Sequence, residues 1–355
     1  MKLTVLNVAY PFAPVGPNAV GGAEQVLTAL DAAIVAAGHR SIVVACHQSE
    51  SRGTLVPSVA CHETLSGDLC AFLRSEHRRQ IEEALARWPI DVIHMHGVDF
   101  YEYLPDTERP ILVTLHLPLS YYPAHVLREL PPNVRFHCVS ESQQQTCDAN
   151  LNFISTIENG VDVDRLSACH AKRNFAVALG RICPEKGLHH AVDAARRADI
   201  PLFIGGEAFG YESHQRYLKH EFLPRLDRWR RWIGPVGFNR KRRLLTAARC
   251  LLVPSLAAET SSLVVMEALA CGTPVIAFPN GALADIVEHG KTGFLVRDVD
   301  EMCEAIRSAH EIDPAVCRAT ARERFSLEQM TRAYLGAYEQ LARGCHRLVE
   351  ECCVA

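Results

Sequence analysis

"FAVALGRICPEKGLHHAVDAARRADIPLFIGG", residues 175–206, decides the fold. A short apolar run (175–180) gives way to a turn containing Pro184, then to a helical pattern (188–198), then to a second apolar run (200–206). Strand, turn, helix and strand in that order form the unit from which parallel sheets covered on both faces are built. The turn carries Arg181 and Lys186 where the strand ends and the helix begins. In open α/β sheets ligands bind beyond the carboxyl ends of strands. Two cations beside a helix N-terminus make a phosphate site, and for a diphosphate they can replace a metal ion. A solvated turn is the plain alternative.

The same rhythm extends in both directions. Upstream, short strand-like runs occupy 3–9, 41–46, 91–96, 111–116, 136–140 and 153–159. A helical pattern at 21–38 separates the first two and stops at Gly38, as a helix C-terminus should. After a polar stretch (167–174) the rhythm restarts with 175–180, 200–206, 231–234, 250–255, 274–278 and 293–296. The class is therefore α/β, with two doubly wound halves joined near residue 170. Their expected bounds are 1–168 and 169–328, followed by a helical segment, 329–355. Ser326 and Glu328 mark the start of the last helix, and its Tyr334, Leu335, Tyr338 and Leu341 read as packing.

A chain of 355 residues exceeds what one core usually organises, and 48% hydrophobic residues suffice for two. A net charge of −4 gives no electrostatic reason to expect nucleic acid. The 14 cysteines include no CxxC pair and follow no signal peptide, so they read as free thiols in a reducing cytosol, with Cys352 and Cys353 in a fraying tail. No apolar run approaches the ~18 residues of a membrane span. The expected place is the cytoplasm, at most peripheral on the inner face of a membrane. The basic stretch 214–245, with Trp229 and Trp232 among its arginines, reads as a solvated helical face in preference to a nucleic-acid or membrane surface.

Two glutamates stand in another apolar run, "AETSSLVVMEALACGTPVIA" (258–277). If Thr260 or Ser261 caps a helix there, the N–H groups of Ser262, Leu263 and Val264 point from its first turn. Eight residues of helical rise would then separate Glu259 from Glu267 by up to ~12 Å. A nucleoside diphosphate sugar suits that spacing. Its diphosphate would meet the helix N-terminus with Arg181 and Lys186, while Glu267 accepts from the ribose diol and Glu259 from the sugar hydroxyls. A backbone partner for Glu267 within its own domain is the alternative. In the first half, Gly21 and Gly22 open a helix and let backbone N–H groups approach an anion. They do not form the GxGxxG dinucleotide fingerprint.

These features resemble the retaining glycosyltransferases of family 4. The glutamates spaced as "ETSSLVVME", with "EALACGTPVIA" after them, carry the likeness most specifically; "GGAE", "GRICPEKG", "ENGVD" (158–162) and "IVEHGKTGFLV" (286–296) follow the family's order. The resemblance implies the GT-B fold: two Rossmann-like domains facing across a cleft, with the C-terminal helix crossing back to the first. It implies an acceptor-binding first domain and a donor-binding second one, which close on each other around the donor. The reaction would move a sugar from a UDP- or GDP-sugar to an acceptor hydroxyl, with retention and without a metal or other cofactor. Arg181 and Lys186 would bind the diphosphate and, with Glu259 and His116, form the catalytic set. Gly21, Gly22, Ser262, Leu263, Val264 and Glu267 would complete the donor site. Glu24, His96 and Glu141 are the acceptor-side candidates. The acceptor would be a carbohydrate or a lipid-linked sugar in cell-surface polysaccharide or glycolipid synthesis. A nucleotide-sugar epimerase and a non-catalytic nucleotide-sugar-binding protein are the competing readings. Thr260, Ser261 and Ser262 stand where the family often has glycines, so the donor pocket has side chains in place of bare backbone.

Overall fold

The computed structural model describes residues 2–59, 67–148, 151–168 and 170–353, with side chains through Gly344. Its first sheet contains β1 (Thr4–Val8), β2 (Arg40–Ala45), β3 (Thr54–Pro57), β4 (Val92–Met95), β5 (Ile111–Leu115) and β6 (Val134–Cys138). The second contains β7 (Ala176–Leu179), β8 (Leu202–Gly205), β9 (Arg230–Trp232), β10 (Cys250–Val253), β11 (Val275–Ala277) and β12 (Gly293–Leu295). Every pairing is parallel. Helices cover both faces, which is why strands such as β1, "TVLNV", are buried from end to end.

The sheet orders are β3-β2-β1-β4-β5-β6 and β12-β11-β10-β7-β8-β9. Each is the doubly wound order, in which strands are added to one side of the first strand and then to the other. The order reverses between β1 and β4 in one sheet and between β7 and β10 in the other. Helices leave these neighbouring strands in opposite directions, so a crevice opens above their carboxyl ends.

The chain divides into residues 1–158 with 328–355, and residues 159–327. The segment from 159 to 168, which the sequence reading gives to the first half, belongs to the second. Val161, Val163 and Leu166 are buried in that unit's core. Val161 also exchanges backbone hydrogen bonds with Phe325 and Leu327, both 2.9 Å.

Three local expectations are corrected. Residues 153–159 form no strand; Phe153 makes only a single bridge to Phe136, because the run lies past the edge strand β6. In its place β3 lies at the opposite edge, a short strand that ends in Pro57 and so has little apolar pattern to read. The buried carboxylate of Asp31 anchors its approach, accepting from the Ser51 hydroxyl at 3.0 Å and the backbone N–H groups of Arg52 and Gly53 at 2.5 and 3.2 Å. The basic stretch 214–245 is not one solvated helical face: it contains the helix Glu212–Tyr217, strand β9 and the helix Phe238–Ala247. Within it Arg230 is buried, and the Trp232 indole donates to the Gly206 carbonyl at 2.8 Å.

All nine cysteines with described side chains are free thiols. The same reading for Cys61, Cys169, Cys345, Cys352 and Cys353 lies outside the described residues. No described helix is long and apolar enough to cross a membrane.

The helix Leu327–Cys353 returns to the first unit from residue 328 onward. Tyr334 and Tyr338 are fully buried there, and the Tyr338 hydroxyl lies 2.7 Å from His94 Nδ1 on β4. Replacing Tyr338 by Phe leaves that buried nitrogen without its partner. Tyr338→Phe is expected to lower unfolding free energy by about 1–3 kcal/mol, read as a shift in the urea midpoint without a change of slope.

Candidate active site

Two loops follow the neighbouring strands β7 and β10. The first, 180–187, ends in a 3-10 turn, Pro184–Lys186, and leads into the helix Leu188–Arg197. The second, 254–262, leads into the helix Leu263–Ala270. They are stitched together at the backbone, where the Glu185 carbonyl accepts from the N–H groups of Leu256 at 2.8 Å and Ala257 at 3.3 Å. Gly187 makes the approach possible. It adopts a left-handed φ of 58°, and a Cβ there would lie 2.3 Å from the Pro254 carbonyl oxygen.

The side chains complete the link. Lys186 Nζ lies 2.5 Å from Glu259 Oε1, and the Ser255 hydroxyl donates to the same oxygen. Glu259 is largely shielded, with 12% of its side chain exposed, so this pairing meets a charge that would otherwise be costly. Arg181, exposed at the mouth of the first loop, adds a second cation.

Glu259 does not stand on the helix. It bridges Gly281, donating its N–H to Asn280 and accepting from that of Ala282 at 3.2 and 2.8 Å. The helix begins four residues later, with Ser262 as its cap in place of Thr260 or Ser261. The expected spacing assumed helix throughout and does not apply, because half of the eight steps run through loop. The Ser262 carbonyl takes the first helical bonds, from Val265 and Met266. The N–H groups of Leu263 and Val264 precede those bonds and are the helix's outward donors. With Lys186 and Arg181 they supply what an anion needs.

Glu267, one helical turn further, is buried, and its partner is the Lys241 ammonium. Neither the backbone partner nor an open carboxylate is found. Burial raises the Glu267 carboxyl above its ordinary range, while Lys241 pulls the other way. Lys241 belongs to the stretch read as a solvated face; it lies among Arg240, Arg242 and Arg243 in the helix Phe238–Ala247, so no sequence signal singles it out.

In the first unit the candidates follow the carboxyl ends of β1, β4, β5 and β6, and across different strands only His96 and His116 are brought into contact. Gly21 caps the helix Gly22–Ala36, and a Cβ on it would meet Glu24 Oε2 at 1.9 Å. The buried Glu24 carboxyl therefore folds back over the helix N-terminus that was expected to receive an outside anion. Its burial raises its pKa, against the opposing pull of its own backbone N–H. At the ends of β4 and β5, His96 Nδ1 lies 3.1 Å from His116 Nε2, with the rings stacked. His96 Nε2 is buried without a partner. Glu141 starts the short helix Glu141–Gln144, exposed, behind the Ser140 cap.

Behind this pair lies a polar network. The Thr114 hydroxyl sits 2.6 Å from both His94 Nε2 and His137 Nε2. A hydroxyl has one proton, so it donates to one ring and accepts from the other. Desolvation pushes His94 and His96 well below the ordinary value and His116 down to about 3. These rings are neutral at pH 7, and His116 is suited to hydrogen-bond as a neutral imidazole, not to take up a proton or supply charge.

His137 and the equally buried His77 have pKa values lowered by burial to about 4. Unfolding releases both to ordinary values, so below pH 6.5 the unfolded chain binds more protons. Their contribution is complete above about pH 6.5 and is lost as the pH falls toward 4, at up to ~1.4 kcal/mol per pH unit for each. Urea unfolding between pH 7.5 and 4.5 is expected to show this decline, with a shallower slope for His137→Gln.

Residues 173–311 match the family described as Glycosyl transferases group 1, and residues 20–165 match Glycosyltransferase Family 4. The chain is 27% identical to a glycogen synthase of Mycobacterium tuberculosis, over 91% of this chain and 89% of that protein. Among solved structures, sucrose-phosphate synthase of Thermosynechococcus elongatus aligns with a TM-score of 0.80 at 18% identity, covering 97% of this chain and all of that one. HepE of Anabaena, solved with UDP and glucose, aligns with a TM-score of 0.73 at 19% identity, covering 96% of this chain and 100% of that one. At such identities the structural likenesses speak for the fold alone. The two family matches fall on the two doubly wound units, one on each, and the chain belongs to the family 4 glycosyltransferases of GT-B fold.

Proposed function

We propose that this glycosyltransferase uses a nucleoside diphosphate sugar as donor and retains the configuration at the anomeric carbon. The observation that carries the reading is the pairing of Lys186 with Glu259 at the β7–β10 strand reversal, on the two loops of which one also bears Arg181 and the other leads into the helix that starts at Leu263. The cations and the helix N-terminus would hold the diphosphate and stabilise the charge that develops on the leaving phosphate. Lys186 already neutralises Glu259, so the carboxylate is placed to accept from sugar hydroxyls and the lysine to swing between it and a phosphate oxygen. Glu267 would exchange Lys241 for a ribose diol, or share it.

In a same-face transfer the leaving phosphate oxygen takes the acceptor proton as the acceptor oxygen forms its bond to the anomeric carbon. Such a step needs no carboxylate nucleophile, so Glu259 is assigned to binding, and no metal is needed at the diphosphate. His116, held neutral against His96, would contact the donor sugar or the acceptor. Glu24, His96 and Glu141 remain the acceptor-side candidates. The UDP and glucose bound by HepE favour a UDP-hexose as the first donor to test. The glycogen synthase relative supports a carbohydrate acceptor. Cell-surface polysaccharide or glycolipid synthesis in the cytoplasm, at or near a membrane, is the corresponding cellular role.

The Ser261 hydroxyl bears on donor choice. Its oxygen is shielded from solvent and has no partner. It stands where glycine would leave space, so it can bond one sugar hydroxyl and exclude its epimer.

A panel of nucleotide sugars with candidate acceptors tests the reading. Release of nucleoside diphosphate, slow without acceptor and indifferent to added magnesium, is expected; an epimerised donor as the product would reject it. Arg181→Ala leaves no buried carboxylate unpaired, and is expected to lower kcat/KM by about 10²-fold with an unchanged urea midpoint. Ser261→Gly is expected to change the ratio of kcat/KM between epimeric donors by about tenfold. An unchanged ratio would remove its role.

A further inference from the structure

Three side chains of the second unit converge outside the donor-facing groups: Cys183, Glu185 and His214. One ligand atom from each lies within 4.8 Å of the other two. Cys183 caps the 3-10 turn Pro184–Lys186, and Glu185 lies within that turn. His214 comes from the helix Glu212–Tyr217, about thirty residues further along the chain, so the fold and not local sequence brings the three together. Cys183 and His214 are buried, and Glu185 is not.

His214 supplies the second observation. Its Nδ1 is buried without any hydrogen-bond partner. The ring of Phe209 stacks near it at 6.3 Å and that of Tyr211 meets it edge-on at 5.1 Å, which fixes the imidazole and keeps water from one side. A buried polar atom left unmatched is rare, because it forfeits its hydration for nothing. An ion bound through that nitrogen would satisfy it.

We propose that Cys183, Glu185 and His214 bind one divalent transition-metal ion of the zinc class. Thiolate sulfur, imidazole nitrogen and carboxylate oxygen together form a borderline-soft set suited to Zn(II) and unsuited to Mg(II) or Ca(II), which select oxygen. On a shared tetrahedral ion such atoms stand roughly 3.5 Å apart, as bond lengths of about 2.0–2.3 Å require. Rotation of the Cys183 and Glu185 side chains closes the remaining difference. A water or small anion fills the fourth position. Binding releases the Cys183 thiol proton to solvent as the metal–sulfur bond forms, with no change of oxidation state. The ion would tie the turn that bears Lys186 to the helix Glu212–Tyr217. It is a clamp on the loop, takes no part in transfer, and does not depend on the donor assignment.

Cobalt(II) titration of the full chain tests the site, after stripping with chelator under a non-thiol reductant. One equivalent is expected to bind, with a thiolate-to-cobalt charge-transfer band that Zn(II) abolishes by displacement. Cys183→Ser should lose the band, and Glu185→Gln and His214→Gln should each weaken cobalt binding by about tenfold or more. A Cys352→Ser/Cys353→Ser variant should keep it. Absence of the band in the wild-type chain, its survival in Cys183→Ser, or its loss in the C-terminal variant overturns the proposal. Glu185→Gln alters a side chain that is not buried, so unaltered affinity in that variant overturns it even if Cys183→Ser folds poorly.

Discussion

A carboxylate withdrawn from water needs a partner, and for Glu259 that requirement joins two loops, reaching Lys186, 73 residues earlier in the chain. Glu259 meets Lys186 because β7 and β10 lie side by side, the one place in the second sheet where strands adjacent in space are added in opposite directions. The pairing cannot form unless the loops approach closely, which Gly187 permits on one side. Gly281 does so on the other, where a left-handed φ of 63° brings it against the Glu259 backbone. Sheet order, two glycines and one ion pair are thus parts of a single constraint.

The histidine layer of the first unit solves a similar problem without ions. Its buried nitrogens and hydroxyls can be satisfied by neutral hydrogen bonds. Thr114 and Tyr338 carry those bonds to His94 and His137, so the C-terminal helix is held to the first sheet by chemistry as well as by apolar packing. The His96–His116 pair rests on this layer with the orientation of its rings largely determined.

The alternation of apolar runs made both sheets legible, since parallel strands covered on two faces leave unbroken apolar stretches. Edges were less readable. β3 is half-exposed and ends in proline, whereas 153–159 has a strand's composition but makes only scattered hydrogen bonds to β6, from Ile154 and Ile157, and no regular ladder. The candidate site's charged groups, Arg181, Lys186 and the two glutamates, could be singled out by residue type alone. The site was not legible where geometry decides. The start of the helix at Leu263 depends on a loop that first turns aside to pair with Gly281. Lys241 could not be matched to Glu267 from the sequence, because helix packing places it there and its neighbours Arg240, Arg242 and Arg243 share its charge. Segment 159–168 likewise follows its side chains into the second core, although the strand rhythm pauses only after it.

The folded-back Glu24 carboxyl has a consequence for how the first unit greets anions. A helix N-terminus opened by two glycines is usually a vacant receptor, yet here the chain furnishes its own tenant. A tethered group competes at high effective concentration, so a weak or singly charged anion gains little by replacing it. An anion bound at this end would therefore have to pass a threshold on charge, set by eviction and not by fit.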